Sequence, residues 1–139
     1  MSDENTFELS NLYTTSRIDE GVWYEPYSNG IALGLRFKVI GISSPKVISD
    51  FAKYTAESNL ISTEKDYKVA LRKQAELTAD FASKIIENVE TSDGRKIVVN
   101  GEEIKDVKGA MKELFKNNSL VADLIIKFAS SDFNYMIQD

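Results

Sequence analysis

Cysteine and histidine are absent from the 139 residues, and proline occurs only twice. No cysteine means no disulfide, no thiolate nucleophile and no Cys/His zinc site, and no histidine removes imidazole acid–base chemistry. Carboxylates are left as the groups for acid–base work, and neither a metal nor a cofactor is expected. Long apolar runs are missing too. None reaches the ~18 residues of a membrane span, and the acidic first residues are unlike a secretory leader. There is no basic excess: Lys and Arg number 17 against 22 Asp and Glu, for a net charge of −5. Residues 1–20 hold one base and five acids, a net of −4, so the remainder is close to neutral. Such a body lacks the basic footprint that neutralises phosphates, so no nucleic acid and no membrane is expected as a partner. The length fits one domain whose core needs no covalent staple. The expectation is a soluble cytoplasmic protein with a disordered arm over 1–6 and a single mostly helical domain over 7–139.

What is present is organised around residues 63–89. Tyr67, Leu71, Gln74, Thr78, Phe81, Ile85 and Val89 recur at steps of four and three, which places them on one stripe of a helix. Ala70, Ala75, Ala79 and Ala82 line or flank that stripe and let a neighbouring helix approach closely. Ser62 or Thr63 is the expected N-cap, with Asp66 in the capping-box position. At ~1.5 Å per residue this central helix would be roughly 38 Å long. No proline or glycine interrupts it.

The flanking segments read as smaller elements. Phe7, Leu9, Leu12 and Tyr13 are apolar anchors for one short helical turn. Ile31, Leu33, Leu35, Phe37 and Val39 alternate with Ala32, Gly34, Arg36 and Lys38, which predicts a strand with one buried face. Val22, Trp23 and Tyr24 are its hairpin partner across Ser28-Asn29-Gly30, and Pro26 makes that first strand an edge. Ser44-Pro45 predicts a helix start, with Val47, Ile48, Phe51, Ala52 and Thr55 on one face and an end near Ser58 and Asn59. After the Ser92-Asp93-Gly94 turn, residues 96–99 and Asn100-Gly101 predict a second, short β excursion. Ile104, Val107, Met111, Leu114 and Phe115 predict a helix from Glu102 to Asn117-Asn118. Ser119 then caps a last helix of Leu120, Val121, Leu124, Ile125, Ile126 and Phe128, so apolar that it belongs at the centre or in a homo-oligomer interface. The fold class is mostly α (α+β).

Few residues carry chemistry. Glu102, Glu103 and Asp106 crowd a predicted helix start, where neighbouring carboxylates either share acid–base work or simply favour the macrodipole, and the second reading is expected. Asp93-Gly94-Arg95-Lys96 has glycine and base but no phosphate-loop pattern. Trp23, Tyr24 and Tyr27 lack the basic surround of a base-stacking platform. Lys105, Lys108, Lys112 and Lys116 step by three, four and four and form a basic ridge that faces solvent or else meets an acidic partner or a phosphate backbone.

The order of features resembles the tail assembly chaperones of long-tailed bacteriophages. The resembling parts are Gly21-Val22-Trp23 through Phe37, a long helix ending near Val89, and Asp93-Gly94 with Ile97-Val98-Val99. Two closing helices follow, with Ala110 and Leu114 in the first and Leu120 and Leu124 in the second, and Ser131-Asp132-Phe133-Asn134 ends the series. Relatives often carry tryptophan where this chain has Asn88 or Val89. The resemblance implies a non-enzymatic virion-assembly protein of the host bacterial cytoplasm, absent from the finished particle, that coats the tape-measure protein and helps recruit tail-tube subunits. The alternatives are a structural tail completion or connector protein and a small carboxylate-dependent enzyme. For client contact the expected surface is the closing segment Phe128, Phe133, Tyr135 and Met136, aided by the lysine ridge, with the strand Ile31, Leu33, Leu35 and Phe37 as a second apolar face that doubles as core. On this expectation, deleting residues 132–139 leaves the fold intact.

Overall fold

Asn29 and Gly30 both take left-handed backbone angles, with φ of 53° and 78°. Two such residues in succession make the type I′ turn whose twist matches paired strands. In this computed structural model, which describes residues 5–137, that turn joins β2 (Tyr27–Ser28) to β3 (Ile31–Ala32), with Tyr27 opposite Ala32. Pro26 and Gly34 (φ 88°) then interrupt the ladder, bridged by the Leu33 amide donating to the Pro26 carbonyl at 3.0 Å. Below the break, β1 (Val22–Tyr24) pairs antiparallel with β4 (Leu35–Val39), Val22 opposite Val39 and Tyr24 opposite Phe37. The hairpin is therefore one structure in two sections. Only the lower section reaches the core: Phe37 and Val39 are fully buried, whereas Ile31 is 72% and Leu33 38% exposed. The expected buried alternation holds from Leu35 onward and fails before Gly34, where the outer section leaves the body.

The central helix is shorter than its periodicity predicts. It is α3 (Tyr67–Lys84), and Asp66 is its N-cap, accepting from the Lys68 and Val69 amides. Ser62 and Thr63 instead close the preceding helix, their hydroxyls donating to the Asn59 and Leu60 carbonyls. At the other end Ile86–Thr91 is β5, antiparallel to β4 with Phe37 opposite Val89 and Leu35 opposite Thr91. The sheet order is β1-β4-β5, with β1 on an edge as Pro26 requires. Ile85, Ile86, Val89 and Thr91 supply β-prone and β-branched residues, and the unpaired side of β4 offers them a hydrogen-bonding partner. That pairing ends the helix. Thr78, Phe81, Ile85 and Val89 are buried as the stripe predicts, while Tyr67 (74% exposed) and Leu71 (53%) are not.

Helices α2 (Ile48–Ile61), α4 (Val107–Asn117) and α5 (Ser119–Ala129) all pack on α3. The Ser44 carbonyl accepts the Val47 and Ile48 amides, so a turn fills residues 44–47 and α2 begins later than Ser44-Pro45 suggests. Its inward residues are Phe51, Tyr54 and Ser58, not Ile48, Ala52 and Thr55; the Tyr54 ring stacks on Phe81 at 4.8 Å. The second excursion is a hairpin of β6 (Val98–Val99) and β7 (Glu102–Glu103) across Asn100-Gly101, at φ of 52° and 84°. Glu102 and Glu103 thus belong to a strand, and α4 begins after Asp106, whose carboxylate accepts the Gly109 amide. Asn118, not Ser119, caps α5 by accepting the Val121 amide. Val121, Ala122, Ile125 and Ala129 bury one face of α5, leaving Leu120 55% exposed. A short α1 (Thr15–Glu20) and 3-10 turns at Leu9–Leu12 and Asp132–Tyr135 complete the described elements. The result is an α+β fold in which helices outweigh small antiparallel sheets. Of the disordered start expected over 1–6, residues 1–4 lie outside the described residues, and Asn5 and Thr6 are exposed.

Candidate partner-contact surfaces

Tyr135 occupies the core. It is fully buried, and its hydroxyl donates to the Val39 carbonyl at 3.0 Å. That carbonyl lies where the β4–β5 register shifts between Lys38 and Val39, so the phenol serves a strand irregularity. Its ring is 5.7 Å from Phe128, which stacks on Tyr24 at 4.3 Å and 16°. Burial, and then the negative charge of Asp132, raises the Tyr135 phenol well above its usual range. The Asn134 amide group donates to the Phe128 carbonyl at 2.9 Å, and the Ser43 hydroxyl to Asp132 at 3.2 Å, which pins the turn that carries Tyr135. The closing segment is a clasp on the sheet. Tyr135 is withdrawn from any client surface, Phe128 and Met136 are half-buried, and Phe133 alone of the four is well exposed, at 69%.

The lysine ridge faces its own protein. Lys112 pairs with Asp80 at 3.3 Å, Lys116 reaches Glu76 at 3.9 Å and Glu113 at 3.8 Å, and the Lys108 ammonium donates to the Lys84 carbonyl at 3.1 Å. That last carbonyl is at the C-terminal, electronegative end of α3. Lys84 extends the series, pairing with Asp80 at 3.2 Å and Asp50 at 3.8 Å, so α2, α3 and α4 share one line of alternating charge. Burial opposes ionisation of Asp80, but hydrogen bonds and charge from Lys84 and Lys112 outweigh it and hold the carboxyl below its usual range. The ridge is an interhelical seam, not a free basic face. Lys105 stands apart, exposed in the bend before α4.

Of the strand residues, Phe37 is core, Leu35 is half-buried, and Ile31 and Leu33 sit with Tyr27 (62% exposed) on the outer hairpin section. The structure adds surfaces that periodicity concealed. Leu60, Tyr67 and Leu71 are exposed where α2 meets α3, because α3 buries side chains only from Thr78 onward. Phe7, Leu9, Leu12 and Tyr13 are exposed, around a 3-10 turn with no buried residue. Val98 and Val99 are exposed on the second hairpin. For Phe7 to Tyr13 the signal was in the irregular apolar spacing, which matches no single helical or extended face.

An open groove of about 470 Å³ runs between β5, the β6–β7 hairpin and α4, with Arg36, Thr91, Arg95, Ile97 and Ile104 among its walls. Its two arginines are paired, Arg36 with Glu90 and Arg95 with Asp93 at 2.7 Å. Glu103 reaches the groove, while Asp106 is committed to capping α4, so the crowded acids do not converge as an acid–base pair. No helix among the described residues is long and apolar enough to cross a membrane. Comparison with protein-family models, curated proteins and solved structures finds no match to this chain.

Proposed function

We propose that this chain is a non-enzymatic tail assembly chaperone of a long-tailed phage, which holds the tape-measure protein and helps recruit tail-tube subunits in the host bacterial cytoplasm. The order of sequence features suggests the family. The observation that carries the binding role is the outer hairpin section, which holds Tyr27, Ile31 and Leu33 in solvent on a projecting two-stranded arm. Apolar side chains on a protruding arm are suited to reversible contact with an apolar client. Phe133 is the remaining exposed member of the closing segment. Client contact thus shifts from the tail as a whole to the hairpin arm.

Co-expression with the tape-measure protein tests this. Ile31→Asp with Leu33→Asp places charge on exposed side chains, so helical content and melting temperature should hold while co-purification is lost. Retained co-purification would reject the arm as the client site. A structural tail completion or connector protein is the second reading, and the same projecting hairpin favours it as a ring-forming element. Detection of the chain in purified particles would select that reading over the chaperone.

A further inference from the structure

Of the nine asparagines in the chain, Asn29 and Asn100 alone precede a glycine. Both hold the left-handed first position of an exposed hairpin turn, at φ of 53° and 52°. Among the described residues their side chains make no hydrogen bond, and neither do the amides of Gly30 and Gly101. A Cβ added at Gly30 would meet only the Tyr27 hydroxyl, at 3.9 Å, and one at Gly101 would meet nothing, so neither amide is crowded. Four other asparagine side chains are committed. Asn88 accepts the Val89 amide at 2.8 Å, Asn117 donates to the Glu113 carbonyl at 2.8 Å, Asn134 donates to Phe128, and Asn118 caps α5. Each of the two hairpins holds only two residue pairs, a ladder that is marginal in water, so both turns open locally at small cost.

We propose that Asn29 and Asn100 are sites of spontaneous covalent modification, at which the open turn cyclises and ends as an isoaspartyl linkage. The glycine amide nitrogen loses its proton and bonds to the asparagine side-chain carbonyl carbon. The side-chain nitrogen takes up a proton and leaves as ammonia, which gives a five-membered imide. Water then adds to one imide carbonyl and breaks one carbon–nitrogen bond. Opening at the main-chain carbonyl leaves isoaspartate, and opening at the other leaves aspartate. One water enters, one ammonia departs, and nothing is oxidised or reduced. Asp93-Gly94 carries the same groups without the same reactivity, because its ring closes by loss of water from the protonated acid. A hydrogen bond from the Arg95 side chain holds the Asp93 carboxyl below its usual range, and so ionised. An isoaspartyl residue has an extra main-chain methylene, so the paired left-handed angles of the type I′ turn are lost and a negative charge appears. At Asn29 this falls on the tip of the projecting arm, so conversion there ends client contact, a consequence that rests on the client role proposed for the arm.

Incubation of the full native chain at mildly acidic and mildly alkaline pH, followed by peptide mapping and isoaspartyl methyltransferase labelling, tests the proposal. The peptides holding Asn29 and Asn100 should gain the mass of an amide-to-acid exchange and accept the methyl label, faster in base because the attacking amide must lose its proton. The other described asparagines and Asp93 should stay intact. Asn29→Gln, whose ring would need an additional member, should stop conversion in its own peptide and leave that at Asn100. A partly converted sample co-purified with the tape-measure protein should be enriched in intact Asn29 in the bound fraction, with converted Asn100 divided evenly between bound and unbound. An even division at both positions would overturn the consequence for the client and leave the mass map to decide the modification. Either asparagine remaining intact in the native chain while the urea-unfolded chain converts, or conversion spread equally over asparagines without a following glycine, would overturn the modification itself.

Discussion

Tyr135 shows how much one hydroxyl decides. Its donation to the Val39 carbonyl at 3.0 Å ties the last described turn to the central strand. Tyr135→Phe keeps the ring and leaves that carbonyl without its donor, so urea denaturation should show a loss of about 1–3 kcal/mol. The same group sets an alkaline limit. Its folded pKa is raised by burial and by Asp132, so its contribution is complete below the ordinary phenol value near pH 10 and is lost as pH rises toward the folded value. A late fraction of the tyrosinate absorbance should therefore appear only together with unfolding in base, and Tyr135→Phe should diminish that fraction. Phe81 is 2% exposed and flanked by Tyr54 and Phe51, at 4.8 Å and 5.6 Å. Phe81→Ala should cost about 3–5 kcal/mol, and a loss below ~1 kcal/mol in chemical denaturation would place it outside the core.

At the scale of elements, the closing segment is fastened where a loose tail was expected. Removing residues 132–139 takes away a fully buried aromatic side chain and its contact with Phe128. Against the ~5–15 kcal/mol stability of an ordinary domain, a loss comparable with truncating a core aromatic is severe. The deletion variant should melt well below the full chain and lose near-ultraviolet dichroism; an unchanged melting temperature would show that the clasp adds nothing. Where α3 begins, Asp66→Ala removes the acceptor for the Lys68 and Val69 amides and should cost about 1 kcal/mol.

Across the whole molecule, three of the main helices are joined by the charge line Asp50–Lys84–Asp80–Lys112. The folded pKa of Asp80 is depressed, so its contribution is complete above the ordinary carboxylate range near pH 4 and is lost as pH falls through the folded value. Its side chain is 38% exposed, which screens the pair and limits the effect to a few tenths of a kcal/mol per bridge. Asp80→Asn should accordingly flatten the acid limb of stability measured against pH, with little change near neutrality beyond that small loss.

Short-range signals were sufficient for several features. Asn29-Gly30 and Asn100-Gly101 specify turns through backbone angles that few other residue pairs adopt, and Pro26 marks an edge because it has no amide to donate. The helices around Phe81, Met111 and Ile125 were legible because a buried stripe leaves a 3.6-residue period. Tertiary structure decided what two periods shared. Ile85 and Val89 satisfy a helical step of four, yet the open side of β4 recruited residues 86–91 into a strand, and no local signal records that β4 lacked a partner there. The lysine ridge was legible as a ridge, but its direction was not, because the acids it meets, Glu76 and Asp80, lie on another helix. Tyr135 was legible only as an aromatic near the chain end. Its burial depends on a carbonyl 96 positions away in sequence, and such a contact exists only once the sheet and the last helix have come together.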